Sequence, residues 1–306
     1  MRLPETVQTL YAELLDQARA ADAEPAAGGS YVSKTIRGAT YWYLQQSAGG
    51  RKRQLYIGRD SPELRERMRI ASQQRSNVAA DERQRRELIA MLAAGGMARE
   101  SAAVGSVLQI LADADVFRAG GVLVGTQAFG CLANMLGVRF EEGSLRTADI
   151  DVALDVSIPL QRLATAEPRF FALPRLGARK PSASFKVRGR DLRVNFLTPG
   201  NLDYLIDEPV DAVVLAAAGV HVNVPAPARF ALHKLWVASQ RPASEQAKAR
   251  KDRRQAEQLL EVLLSDRPED VIAAYRALRP GMLRKVQKTL RTLDAPLQDR
   301  LRAVVA

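Results

Sequence analysis

The stretch Asp149-Ile150-Asp151-Val152 most constrains how this chain can fold, because it alternates carboxylates with branched apolar side chains. In a strand successive side chains point to opposite faces, so Ile150 and Val152 enter a core while Asp149 and Asp151 share the other face. Two carboxylates held this close repel, at roughly 1.4 kcal/mol for each unit of pKa shift, and the arrangement calls for a cation. Hard oxygen donors with no histidine or cysteine beside them suit Mg²⁺ or Mn²⁺. An isolated Asp-x-Asp is more simply a solvated strand end, so its neighbours decide the reading.

Upstream, Val122-Leu123-Val124 reads as an apolar strand that breaks at Gly125 into a helix starting near Gln127. A Gly125-Thr126 step at a helix N-terminus offers backbone N–H groups, a hydroxyl and the positive end of the helix dipole to a phosphate. Downstream, Ser184 to Arg188 and Asp191 to Leu197 read as two strands joined by a tight turn at Gly189-Arg190. The second of these carries Asn195.

Gly125-Thr126 followed by Asp149-Ile150-Asp151 between hydrophobic residues resembles the signature of nucleotidyltransferases related to DNA polymerase β. More narrowly, the whole chain is similar to an uncharacterised bacterial nucleotidyltransferase-like family, and its C-terminal part is similar to toxins of abortive-infection systems. The resemblance implies that Asp149 and Asp151 hold two divalent ions and that Gly125 and Thr126 hold the phosphates of an NTP. It also implies in-line displacement of pyrophosphate, driven by positioning and charge compensation. The family's third carboxylate lies on a later strand, where this chain has Asn195. An amide offers a carbonyl oxygen but neither negative charge nor a proton-accepting group. Three explanations stand side by side: another acid such as Asp191 or Asp203 serves, catalysis is lost, or the residue was changed deliberately. The toxin resemblance further implies that Lys234, in Phe230 to Trp236, contacts nucleotide phosphates and that Asp252 is a later acidic site position. Read from its neighbours alone, Asp252 equally suits an ion pair with adjacent arginines.

The remaining chemistry is bounded by composition. One cysteine, Cys131, forms no internal disulfide and is expected as a small buried hydrophobe; two histidines are too few for a structural zinc site, and His221 and His233 are expected to be structural. The apolar runs fall short of the ~20 residues of a membrane span, and the N-terminus lacks the apolar core of a secretory signal, which predicts a cytosolic protein with no membrane contact. A net charge of +11 favours a polyanionic partner, nucleic acid or nucleotide.

The predicted fold class is α+β: a polymerase-β-like mixed sheet with helices, preceded by a small antiparallel β element and a long helix, and followed by a helical bundle. The expected division is 1–98 accessory, 99–200 catalytic core and 201–306 helical. The accessory part has a helix over Glu5 to Ala20, then strands at Tyr31 to Ile36, Thr40 to Gln46 and Gln54 to Gly58. Its turn Gly50 to Arg53 carries Arg51, Lys52 and Arg53, and Tyr41, Trp42, Tyr43 and Tyr56 add aromatic surface; these are either a nucleic-acid platform or the sheet's own core. Ser61-Pro62-Glu63 starts a helix expected to run to Ala94, its arginines solvated. Another helix is expected from Ala103 to Asp113. Beyond Pro199 all elements are expected to be helical: Asp203 to Ala218, Pro227 to Ser239, Ser244 to Leu264, Pro268 to Leu278 and Gly281 to Thr292.

Three functions follow from these residues. The first is transfer of a nucleoside monophosphate from an NTP to a hydroxyl of RNA, tRNA included, or of protein, in the manner of a toxin. The second is a nucleotide- or RNA-binding regulatory module without turnover. The third is modification of a small molecule, which the basic charge favours less.

Overall fold

Helix α1 (Glu5–Ala23) leads into an antiparallel sheet of β1 (Ser30–Ile36), β2 (Ala39–Ala48) and β3 (Arg51–Arg59), in that order. This computed structural model describes residues 1–23, 30–48, 51–140, 149–154, 170–173, 184–187, 192–198, 200 and 202–305. Arg37 and Gly38 turn between β1 and β2 with positive φ, 50° and 76°. The turn at Gly49-Gly50, the side chains of Arg51, Lys52 and Arg53, the Gly189-Arg190 turn and Asp191 lie outside the described residues. Tyr56 packs against both Tyr41 and Tyr43, with ring centroids 6.3 and 5.6 Å away, and remains 56% exposed.

Helix α2 (Pro62–Ala94) begins as its sequence dictates. The Ser61 hydroxyl accepts the N–H of Leu64 at 3.2 Å, and Pro62 occupies the first turn, where its missing N–H costs nothing. Over 33 residues it spans about 50 Å. Its first turns meet the small sheet, where Met68 is buried and Arg65 pairs with Asp60 at 2.8 Å, and its last turns meet the rest of the chain. Leu88, Ile89 and Leu92 join Tyr11 and Leu14 of α1 in a core that includes Val213 and Leu215. Arg85, expected on the solvated face, is buried and donates to the Ala218 carbonyl at 2.9 Å.

Helix α3 (Ala102–Asp113) then leads into β4 (Val122–Val124), α4 (Gly125–Met135), β5 (Asp149–Ala153), β6 (Phe170–Ala172), β7 (Ser184–Val187) and β8 (Arg193–Leu197). After a single turn, α5 (Asp203–Ile206), come β9 (Val210–Val214) and β10 (Val220–Val224). Among the described residues the central sheet has seven strands in the order β6-β7-β8-β5-β4-β10-β9. It is mixed: β5 runs parallel to β8 and antiparallel to β4, and β10 runs parallel to β4. Leu123, Phe129, Ile150 and Val152 are fully buried, each contributing roughly 1.5–3 kcal/mol of apolar burial.

The helix expected from Asp203 to Ala218 is instead one helical turn, α5, followed by strand β9 and a turn. Val210 to Val214 and Val220 to Val224 are rich in β-branched residues, and the second alternates buried valines with His221 and Asn223. Ala217 and Gly219 both have positive φ, 51° and 86°, so the alanine run between the strands makes a turn that helical propensity alone did not foretell. These strands carry the sheet past residue 200. Among the described residues five α-helices close the chain: α6 (Pro227–Gln240), α7 (Gln246–Asp266), α8 (Pro268–Arg276), α9 (Pro280–Leu290) and α10 (Ala295–Val305), the last unforeseen in the sequence and packed on α7 and α8. Among the described residues no helix is long and apolar enough to cross a membrane.

Candidate active site

Strand β5 lies between β4 and β8, and its register sets the site. Asp151 pairs with Val124 on one side and Asn195 on the other, and Asp149 pairs with Arg193. Ile150 and Val152 are buried, Asp149 is exposed and Asp151 is half-buried, as period-2 alternation requires. Burial pushes the Asp151 carboxyl above the usual carboxylate range, and the neighbouring charge of Asp149 adds to the rise; the Asn195 hydrogen bond and the Lys234 charge oppose it.

Helix α4 starts at Gly125 itself, two residues earlier than the sequence suggests, with no side chain capping its N-terminus. Gly125 has φ +73°, and a Cβ there would lie 3.0 Å from Oδ2 of Asp151. Only glycine lets the turn approach the carboxylate this closely without strain. The buried Thr126 hydroxyl lies 3.3 Å from the Lys251 ammonium. Burial, then the charge of Lys234, hold that ammonium's pKa below the ordinary lysine value.

Asn195 is not turned to present its carbonyl oxygen. Its Nδ2 donates to Oδ1 of Asp151 at 2.8 Å, and its Oδ1 accepts from the Ser184 hydroxyl at 2.9 Å. The amide thus ties β8 to β5 and orients Asp151. Of the substitute acids, Asp203 accepts the Gly200 N–H at 2.7 Å and pairs with Arg279 at 3.2 Å.

Lys234 and Asp252, on α6 and α7, meet at 2.8 Å, and Arg241 reaches the second oxygen of Asp252 at 3.1 Å. Asp252 is only 4% exposed, so it takes the ion-pair alternative, with partners distant in sequence instead of the adjacent arginines. Lys234 also lies 5.3 Å from the Phe230 ring centroid. Sequence reasoning missed Lys251, Arg241 and Ser184. Lys251 sits inside the basic run Lys248 to Arg254, where nothing in the one-dimensional pattern separates it from solvated neighbours. His221 lies 3.2 Å from Asp22 of α1, His233 packs against Trp236, and Cys131 is buried, all in structural settings.

Among the described residues no cluster of three or more His, Cys, Asp and Glu side chains gathers as a metal cage. Two carboxylates sharing one face still suit Mg²⁺, which commonly uses one or two protein carboxylates together with substrate phosphates. The raised Asp151 carboxyl beside Asp149 marks a spot where added positive charge is favourable.

The mixed sheet flanked by helices, with the glycine turn into α4, matches the architecture of a nucleotidyltransferase domain of the polymerase-β-like superfamily. A nucleotidyltransferase family model matches residues 102–201 and 200–279, more than half of the chain, and the chain belongs to that family. A domain family of unknown function matches residues 11–66, which take in most of α1, the small sheet and the start of α2. No curated protein matches the chain.

Proposed function

We propose that this chain transfers a nucleoside monophosphate from an NTP to a hydroxyl of RNA. One observation carries the reading: the Gly125 turn abuts the Asp151 carboxylate, and the next residue, Thr126, at the uncapped start of α4, meets the Lys251 ammonium. Groups that bind phosphate and groups that bind a hard cation thereby share one locus.

In this reading Asp149 and Asp151 hold Mg²⁺ or Mn²⁺, and the ion, when bound, offsets charge on the phosphoryl oxygens. The backbone at Gly125 and Thr126, with Lys251, binds the terminal phosphates. Lys234 adds positive charge beside Asp151 while Asp252 and Arg241 hold it in place. The acceptor oxygen forms its bond to the α-phosphorus, the bond from that phosphorus to the bridging oxygen breaks, and pyrophosphate leaves. Asn195 takes no proton; it fixes Asp151, and the acceptor's proton passes to water.

The net charge of +11 supports RNA as acceptor over protein or a small molecule. Lys234 and Asp252 are the positions through which the sequence resembles abortive-infection toxins, so a toxin-like enzyme acting on RNA such as tRNA in the cytoplasm is the narrower form of this proposal. One observation favours a second reading. The Asn195 amide occupies an oxygen of Asp151 where the family has a carboxylate, an arrangement that suits nucleotide binding without turnover.

Incubation with each α-labelled NTP and Mg²⁺ or Mn²⁺, with and without total RNA, tests both. The wild type is expected to label RNA, and the Asp149→Ala/Asp151→Ala double variant to lose both label and metal-dependent NTP binding. Label transfer by the double variant would falsify the site. NTP binding by the wild type without transfer to RNA favours the second reading.

A further inference from the structure

A cleft of about 550 Å³ opens between the segment after β8, helix α6 and the start of α9. Its walls combine rings with cations: Tyr204, Trp236 and Met282 are apolar surfaces, and Arg279, Arg284 and Lys285 are exposed basic ones. Tyr204 is held rigidly, its hydroxyl donating to the Ala274 carbonyl at 2.8 Å. Trp236 is half-buried and backed by His233, with ring centroids 5.4 Å apart.

The charge in this cleft is not internally balanced. Arg279 is paired with Asp203. Among the described residues Lys285 donates only to the neutral amide of Gln240, at 2.7 Å. Arg284 has no carboxylate partner among the described residues. Planar rings beside uncompensated cations form the combination that holds single-stranded nucleic acid, with bases stacked on the rings and phosphates on the cations.

The cleft also adjoins the aspartate site through its own elements. Gly200 follows Asn195 by five residues, at most about 17 Å of chain. Trp236 follows Lys234 by two residues on α6, about 3 Å along its axis and about 200° around it, so one helix presents Lys234 to the aspartate site and Trp236 to the cleft. The cleft and the aspartate site thus share helix α6, and Gly200, just past β8, lines the cleft.

We infer that this cleft seats a segment of single-stranded RNA beside the aspartate site, its base on Trp236 and its phosphates on Arg284 and Lys285. The role of that RNA as acceptor rests on the transfer reading above; its binding does not, so the test is run without NTP or metal.

The probe is a fluorescently labelled adenylate hexaribonucleotide, titrated by anisotropy over a salt series against the full-length protein. Arg284→Ala/Lys285→Ala is expected to weaken binding and to flatten the slope of log affinity against log salt by about 1.4, the release expected for two single-strand phosphate contacts. Trp236→Leu is expected to weaken binding about ten-fold with an unchanged slope, as loss of one stacking ring does. Trp236→Phe should recover most of that loss, and circular dichroism melts identify any variant that fails to fold. Unchanged affinity and slope in a folded Arg284→Ala/Lys285→Ala protein overturn the inference, as does AMP binding as tightly as the hexamer. Failure of RNA labelling with hexamer binding intact overturns the transfer reading alone.

Discussion

Asn195 shows how one atom's identity redirects a site. Its amide joins Asp151 to Ser184 in a hydrogen-bond chain that needs no metal. Asn195→Asp would place a third carboxylate against Asp151 without a counter-ion. The metal-free protein should then melt at lower temperature, and added Mg²⁺ should restore or exceed the wild-type value. If the transfer reading holds, the same change should raise the labelling rate, since general-base assistance is typically worth ~10²–10⁴-fold. A variant whose melting ignores Mg²⁺ would remove Asn195 from the metal locus. Glu100 offers a test of another kind. Burial pushes its carboxyl above the usual range near 4.5, so the folded state holds the proton more tightly than the unfolded state does. Its contribution to stability is complete below the unfolded value and is lost as pH rises through the folded value. Glu100→Gln should therefore raise the melting temperature at pH 7 while changing it little at pH 4. Equal effects at both pH values would show that the carboxyl is not desolvated.

At the scale of elements, α6 and α7 bring two lysines to the candidate site on different terms. Lys234 neutralises the buried Asp252, whereas Lys251 faces the hydroxyl of Thr126 at the start of α4. Lys234→Ala should cost on the order of 2–3 kcal/mol of stability, less than the ~3–5 usual for a broken buried pair because Arg241 remains. Lys251→Met relieves a desolvated ammonium and should leave stability unchanged or raised. It should weaken NTP binding by about 10–100-fold, the range for one charged hydrogen bond. Calorimetry and thermal melts on both variants separate the roles; equal NTP affinity in the Lys251→Met protein would return Lys251 to a structural part.

Across the whole molecule, the N-terminal third is bound to the sheet that carries the site. Leu14 of α1 and Leu88, Ile89 and Leu92 of α2 cover Val213 and Leu215 at the β9 end of the sheet. Removing residues 1–98 uncovers these apolar side chains, and the remaining chain is expected to aggregate or to need detergent. Soluble, monodisperse behaviour of 99–306 in size-exclusion chromatography would show that the second core is dispensable.

What the sequence alone determined was local. Period-2 alternation at 149–152 put both aspartates on one face, Ser61-Pro62 began α2 where it stands, and Gly125 broke β4 into a helix, because each signal acts through neighbouring residues on the chain. Only the tertiary structure decided the rest. Val210 to Val224 became sheet because β4 offered a paired edge to valine-rich segments, outweighing the helical reading of the alanines between them. Lys251 came to the candidate site, and Asp252 became a buried anchor, because α7 packs on α6 and reaches Thr126 more than a hundred residues away in sequence. A run of basic residues carries no mark of which one will be desolvated; that depends on which surface the helix meets.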